Sequence, residues 1–227
     1  MAQSPTAETG PGAIPPADAQ HGDSVPVVST RSDTPNGRIA LGWPLIGLPL
    51  MVGLGLWVRS GATPVDLWMQ KQHHGPLGWL LFFTDSRTAL VVVLAALGIA
   101  VYRRLWTLIP VVLVVPLVSV ALNANLKPLF GRFKGESLSY PSGHTTLMVV
   151  VLGMVLLVAG VHRWLVVSVL VFAVLGIIGQ SVTYHYFTDT LGSVLLGTSL
   201  VWLTVALRQG VSCGWNRLRR QGGSGCA

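Results

Sequence analysis

Two short stretches of this 227-residue chain gather side chains that could do chemistry together. The first reads Lys127-Pro-Leu-Phe-Gly-Arg132-Phe-Lys134 and resumes as Tyr140-Pro141-Ser142-Gly143-His144, immediately ahead of an apolar run. Pro and Gly keep the backbone open, and Ser142 and Gly143 stand where a helix would begin. Helix-start N–H groups aim partial positive charge at a nearby anion such as a phosphate. Lys127 and Arg132 can neutralise that anion from the side. Taken singly, each feature also reads as a turn capping a helix, flanked by interfacial cations. The second stretch is Tyr184-His185-Tyr186-Phe187-Thr188-Asp189, an ionisable pair between two apolar blocks. On a helix, a spacing of four puts His185 and Asp189 on one face. A carboxylate holding one imidazole nitrogen leaves the other free as nucleophile or base. A histidine satisfied by a local carbonyl or an interfacial water is the plainer alternative. A metal site is argued against, because two ligands do not make one and neither motif holds a third carboxylate.

The elements that must position these groups are apolar helices. The chain is 51% hydrophobic and 10% charged, with a mean hydropathy of +0.62. A soluble domain carries roughly 25% charged residues, so an ordinary water-soluble enzyme is excluded. Uncharged blocks occupy 39–58, 88–102, 105–126, 145–161, 164–184 and 190–207. A hydrocarbon core of about 30 Å needs about 20 helical residues, so five blocks suffice and 88–102 must borrow from its flank. The expected fold is all-α, a six-transmembrane-helix bundle whose active site is formed by extracytoplasmic loops. Residues 76–84 are apolar but too short to span, and are placed at the interface, with their Trp79. Ionisable residues at membrane depth are costly and usually functional, which favours the chemical reading of His185 and Asp189.

The expected domains are a disordered Pro-rich cytoplasmic tail over 1–38, a membrane domain over 39–207 and a basic cytoplasmic tail over 208–227. With the N-terminus inside, nine cations fall on the cytoplasmic side and six outside (Arg59, Lys71, Arg87, Lys127, Arg132, Lys134). This bias puts both termini in the cytoplasm and both motifs outside. The net charge of +7 needs no nucleic acid partner, since arginines meeting anionic lipid heads give the same surplus. Cys213 and Cys226 stand far from any His/Asp cluster and read as inert. His73 and His74 read as part of a polar loop, and Asp66 and Asp85 as solvated or paired with Arg87.

The order Lys127, then Pro141-Ser142-Gly143-His144, then His185-x-x-x-Asp189, over six helices, resembles the type 2 phosphatidic acid phosphatase superfamily of integral membrane lipid phosphatases. The resemblance covers roughly residues 39–207, and its Pro-Ser-Gly-His element is the specific part. It implies metal-independent hydrolysis of a lipid phosphomonoester or diphosphate, with no cofactor, in a bacterial-type cell membrane. By the same resemblance His185 is the nucleophile that forms a phosphohistidine and Asp189 orients it. His144 is then the general acid, and Lys127, Ser142 and Gly143 bind the phosphate. Two departures stand out. Lys134-Gly135 replaces an Arg-Pro pair, with Arg132 two positions earlier as a compensating cation. Gly179 occupies the place of an arginine six residues before the histidine, and no Lys or Arg lies between Arg163 and Arg208. The alternatives from other classes are a lipid phosphotransferase that passes the group to an alcohol, and a lipid-binding homologue without activity.

Overall fold

The computed structural model describes residues 37–73 and 75–222; the proline-rich segment 1–36, His74 and the last five residues, Cys226 included, lie outside them. Long helices stand where the apolar blocks predict them: α1 Gly37–Trp57, α3 Ser86–Tyr102, α4 Ile109–Phe130, α5 Gly143–Ala159, α6 Arg163–Thr183 and α7 Phe187–Gly222. A short helix, α2 Pro64–Gln70, lies between α1 and α3. Four of these helices are long and apolar enough to cross a membrane; α3 makes a fifth if joined to the bent segment before it, and α5 is apolar but shorter. The all-α class is therefore observed, in a chain built as a membrane protein. The helix of the last block runs past Leu207 into the basic sequence, to Gly222.

The side chains are sorted for lipid. Leu45, Leu117, Leu170 and Trp164 point outward, while Ser119, Asn123, Ser181, Ser193 and Ser199 are buried between helices. Small residues bring the helices close: a Cβ on Gly197 would meet Val149 at 2.8 Å, and one on Gly47 would meet the Ser199 hydroxyl at 2.5 Å. Such contacts replace the hydrophobic drive that lipid does not supply. One apolar cluster joins Ala96, Ala100, Val112, Met154 and Val158. A second joins Met51, Val58, Phe130, Tyr140 and Leu196.

Helix ends, turns and one short hairpin shape the end of the bundle that carries the motifs. Residues 76–84 form a 3-10 helix that packs along α6. Thr63 and Asp66 form a reciprocal capping box, with Pro64 in the first turn, so α2 starts where its sequence dictates. Gly131, at φ +58°, ends α4 in the left-handed conformation and its N–H bonds the Lys127 carbonyl. The chain then forms a two-residue-per-strand hairpin, β1 Phe133–Lys134 against β2 Ser137–Leu138. Gly135, at φ +61°, supplies the turn. Tyr140, next in line, is fully buried; its ring lies against Gly55 of α1 and Gly192 of α7, and its hydroxyl donates to the Met51 carbonyl. Gly192→Leu would push this ring out, an overpacking that costs about 1–3 kcal/mol. The unfolding temperature of the detergent-solubilised protein should fall by several degrees, whereas Gly98→Leu, which points into open space, should leave it unchanged.

Candidate active site

The ends of α4 and α6, the starts of α5 and α7 and the α1–α3 connection meet at one end of the bundle, and every motif residue is there. Ser142 caps α5, accepting from the Thr145 amide and hydroxyl at 3.5 and 3.2 Å. Gly143 is the first residue of α5 and His144 the second; the His144 side chain is exposed. The Ser142 amide donates to the Asp189 carbonyl at 3.5 Å, which ties the two motifs together.

His185 and Asp189 are close for a reason other than shared helical face. His185 lies in the turn before α7, outside any helix. Asp189 sits in the first turn of α7, and its Oδ2 reaches back to accept from the Tyr186 amide at 3.0 Å. A carboxylate there also offsets the helix dipole. The same Oδ2 is 3.7 Å from His185 Nδ1, an ion-pair separation longer than a hydrogen bond. His185 is 9% exposed, and its Nδ1 is buried without a hydrogen-bond partner. Its carbonyl is held instead, by Gln70 at 3.1 Å and Lys134 at 3.4 Å.

Arg132 forms the centre of the site. It is 1% exposed, and Nη1 donates to Thr188 and Asp189 while Nη2 donates to the Gly61 carbonyl and Asp66, both at 2.9 Å. Four of its five N–H groups are thereby taken by the protein. Nε is buried without a partner, and the guanidinium carbon lies 4.5 Å from the centre of the Tyr186 ring. Losing one member of such a buried ion network costs about 3–5 kcal/mol, because it strands the other charge. Lys127 and Lys134 remain near the site. Lys127 Nζ donates to the Leu138 carbonyl at 3.1 Å, and Lys134 Nζ to the Thr183 carbonyl at 3.1 Å. Burial draws the Lys134 ammonium below the usual lysine range, opposed by Asp189 and Asp66.

Asp66 corrects the reading of a solvated or Arg87-paired acid. It is fully buried and joins Arg132, the Thr188 amide and hydroxyl, and the Thr63 amide. Burial by itself would raise its carboxyl, but these hydrogen bonds outweigh it and hold the group below its ordinary 3.8. Its contribution to stability is thus present above that ordinary value and lost as the pH falls through the lowered one. Asp85 instead caps α3, accepting from the Arg87 amide at 2.8 Å. The capping pattern Thr63-Pro-x-Asp66 was the available sign of a helix at this point; nothing in the sequence marks Thr188 as a partner of Asp66, or Gln70 as a donor to the Ser181 and His185 carbonyls.

One comparison with known proteins falls on the same residues. Residues 111–212 match the PAP2 superfamily. The match starts inside α4 and ends inside α7, so it takes in every motif position from Lys127 to Asp189, and the resemblance drawn from those motifs is shown. Members of that superfamily are generally phosphatases acting on phosphoesters. No curated protein and no solved structure matches the chain.

No side chain fits at Gly179, where the family resemblance puts an arginine. A Cβ on Gly179 would lie 2.5 Å from the Leu80 carbonyl carbon and 2.8 Å from the Leu81 nitrogen. The backbone of the 76–84 segment fills the space that a side chain would need. Gly179→Arg should therefore destabilise rather than repair the site, lowering the unfolding temperature in detergent by several degrees with no gain in phosphatase rate. An unfolding temperature equal to wild type would mean that the 76–84 segment yields.

Proposed function

We propose that the protein is a lipid phosphatase that hydrolyses a phosphomonoester or diphosphate through a phosphohistidine at His185. A polyprenyl diphosphate, a phosphatidic acid and a phosphatidylglycerol phosphate all present the required group on an apolar tail. The observation that carries the reading is the His185 imidazole, uncommitted at Nδ1 beside the buried carboxylate of Asp189. Asp189 steadies the Nδ1 side, which leaves Nε2 to attack phosphorus. The N–P bond forms as the P–O bond to the lipid breaks, and His144, exposed at the start of α5, gives its proton to the departing oxygen. His144 then takes a proton from water, whose oxygen attacks phosphorus and releases phosphate from the histidine. Lys127 and Lys134, with Gly143 at the helix start, hold the phosphate oxygens, while Ser142, buried and with its amide on the Asp189 carbonyl, fixes the turn that presents them, and no metal enters either step. The arginine and lysine bias supports a cytoplasmic location for both termini and an extracytoplasmic site.

The test is phosphate release by the detergent-solubilised protein from a panel of lipid phosphates and diphosphates, with EDTA present. Release that persists in EDTA and falls at least about 1,000-fold in His185→Ala is expected, the scale of losing a nucleophile. Release only when a metal is supplied, or undiminished in the variant, would contradict the reading. Phosphoryl transfer seen only when an alcohol is added would replace the hydrolase with a transferase.

A further inference from the structure

Asp66 lies outside every motif, on a short helix in the α1–α3 connection, yet its carboxylate is the most heavily bonded group near His185. Oδ2 takes Arg132 Nη2 and the Thr63 amide, both at 2.9 Å, and Oδ1 takes the Thr188 amide at 2.9 Å. The Thr188 hydroxyl lies 2.9 Å from Oδ2 and 3.1 Å from Oδ1, and it also accepts from Arg132 Nη1 at 2.6 Å. Arg132 is thus shared between two carboxylates, and only Nη1 reaches Asp189, at Oδ1. Oδ2 of Asp189 is left facing His185.

That division matters because an arginine and a lone carboxylate prefer a two-pronged pairing, which would take both oxygens of Asp189. Asp66 holds the second prong. It also balances the guanidinium charge, so that Asp189 keeps a net negative field at the imidazole. Neither Asp66 nor Arg132 has an accessible surface for substrate: both are buried, and Tyr186 lies over the guanidinium.

We propose that Asp66 is a positioning residue for the His185–Asp189 pair, acting through Arg132, and that Arg132 orients Asp189 instead of binding the phosphate. The proposal rests on the phosphohistidine reading above. A helix sewn to the site from the preceding loop also makes the nucleophile's geometry depend on α2, whose Gln70, four residues after Asp66, donates to the Ser181 and His185 carbonyls at 2.7 and 3.1 Å.

The experiment measures kcat, KM and the unfolding temperature for full-length, detergent-solubilised wild type, Asp66→Asn and the double variant Asp66→Asn/Arg132→Gln, on the best lipid phosphate of the panel. In Asp66→Asn, kcat should fall about 10–100-fold with KM within about threefold, as expected when a catalytic group is misaligned but the phosphate sites remain. The double variant removes the unopposed guanidinium, so its kcat should lie between those of the single variant and wild type. A merely structural staple would make the double variant at least as slow as the single one, and that result overturns the proposal, as does a wild-type kcat in Asp66→Asn. If Asp66→Asn does not fold, the double variant, which removes one buried charge of each sign and so leaves the net charge of the site unchanged, decides. A kcat at least about fivefold below wild type at constant KM then supports the proposal, and a wild-type kcat overturns it. A wild type with no turnover on any lipid phosphate fails the phosphohistidine reading itself and takes the proposal with it, whereas an active wild type with indifferent variants fails the proposal alone.

Discussion

A guanidinium with 1% exposure, bonded to two carboxylates that are fully buried, is the constraint around which this end of the molecule is arranged. Burying three charges costs several kcal/mol per ion unless their hydrogen bonds are met, so each partner must be delivered to a fixed place. The three partners come from separate parts of the chain: Asp66 from α2, Arg132 from the turn after α4, and Asp189 from the first turn of α7. Meeting that requirement closes the α1–α3 connection over the site. It also draws Thr188 and Tyr186 around the arginine and leaves the carboxylate edge of Asp189 toward His185.

The rest of the bundle serves this arrangement with the means available in lipid. Apolar side chains face outward, polar ones face inward, and glycines bring α7 against α1 and α5. Tyr140 extends the same logic to the loop ahead of α5. Its ring is held between Gly55 and Gly192, and burial together with Asp189 pushes its phenol well up, so it stays a neutral donor to the Met51 carbonyl. The Pro141-Ser142-Gly143-His144 turn that follows is thereby fixed to both α1 and α7, and His144 is presented at the surface of a rigid helix start.

The sequence made much of this legible, for physical reasons that also explain what it hid. Long apolar blocks predict helices, because a backbone in lipid must satisfy its own hydrogen bonds, and six long helices do stand at the six blocks. The length criterion is stricter than the block pattern: it admits four spans, or five with the bent pair, since α5 is short and α3 needs the 76–84 segment. The motif residues were legible because their chemistry requires particular side chains at particular spacings. His185 and Asp189 are neighbours as foreseen, though through a helix-cap reach and not a shared face. Asp66 was misread because its partners are 66 and 122 residues away, and only the fold brings them together. The departure at Gly179 was visible, while the backbone laid against α6, which leaves no room there for a side chain, was not.

The central claim is that His185 is presented, unspent, to take a phosphoryl group. The most direct measurement is rapid quench of the enzyme during turnover at alkaline pH, followed by mass spectrometry of the peptide spanning the α6–α7 turn. A phosphoryl group on the His185 imidazole, labile to acid and, with a substrate whose leaving oxygen needs no proton, accumulating in His144→Ala, which cannot activate the water, is the expected result. Steady turnover with the phosphoryl group on another side chain, or with none trapped on the protein in either form, would contradict the claim.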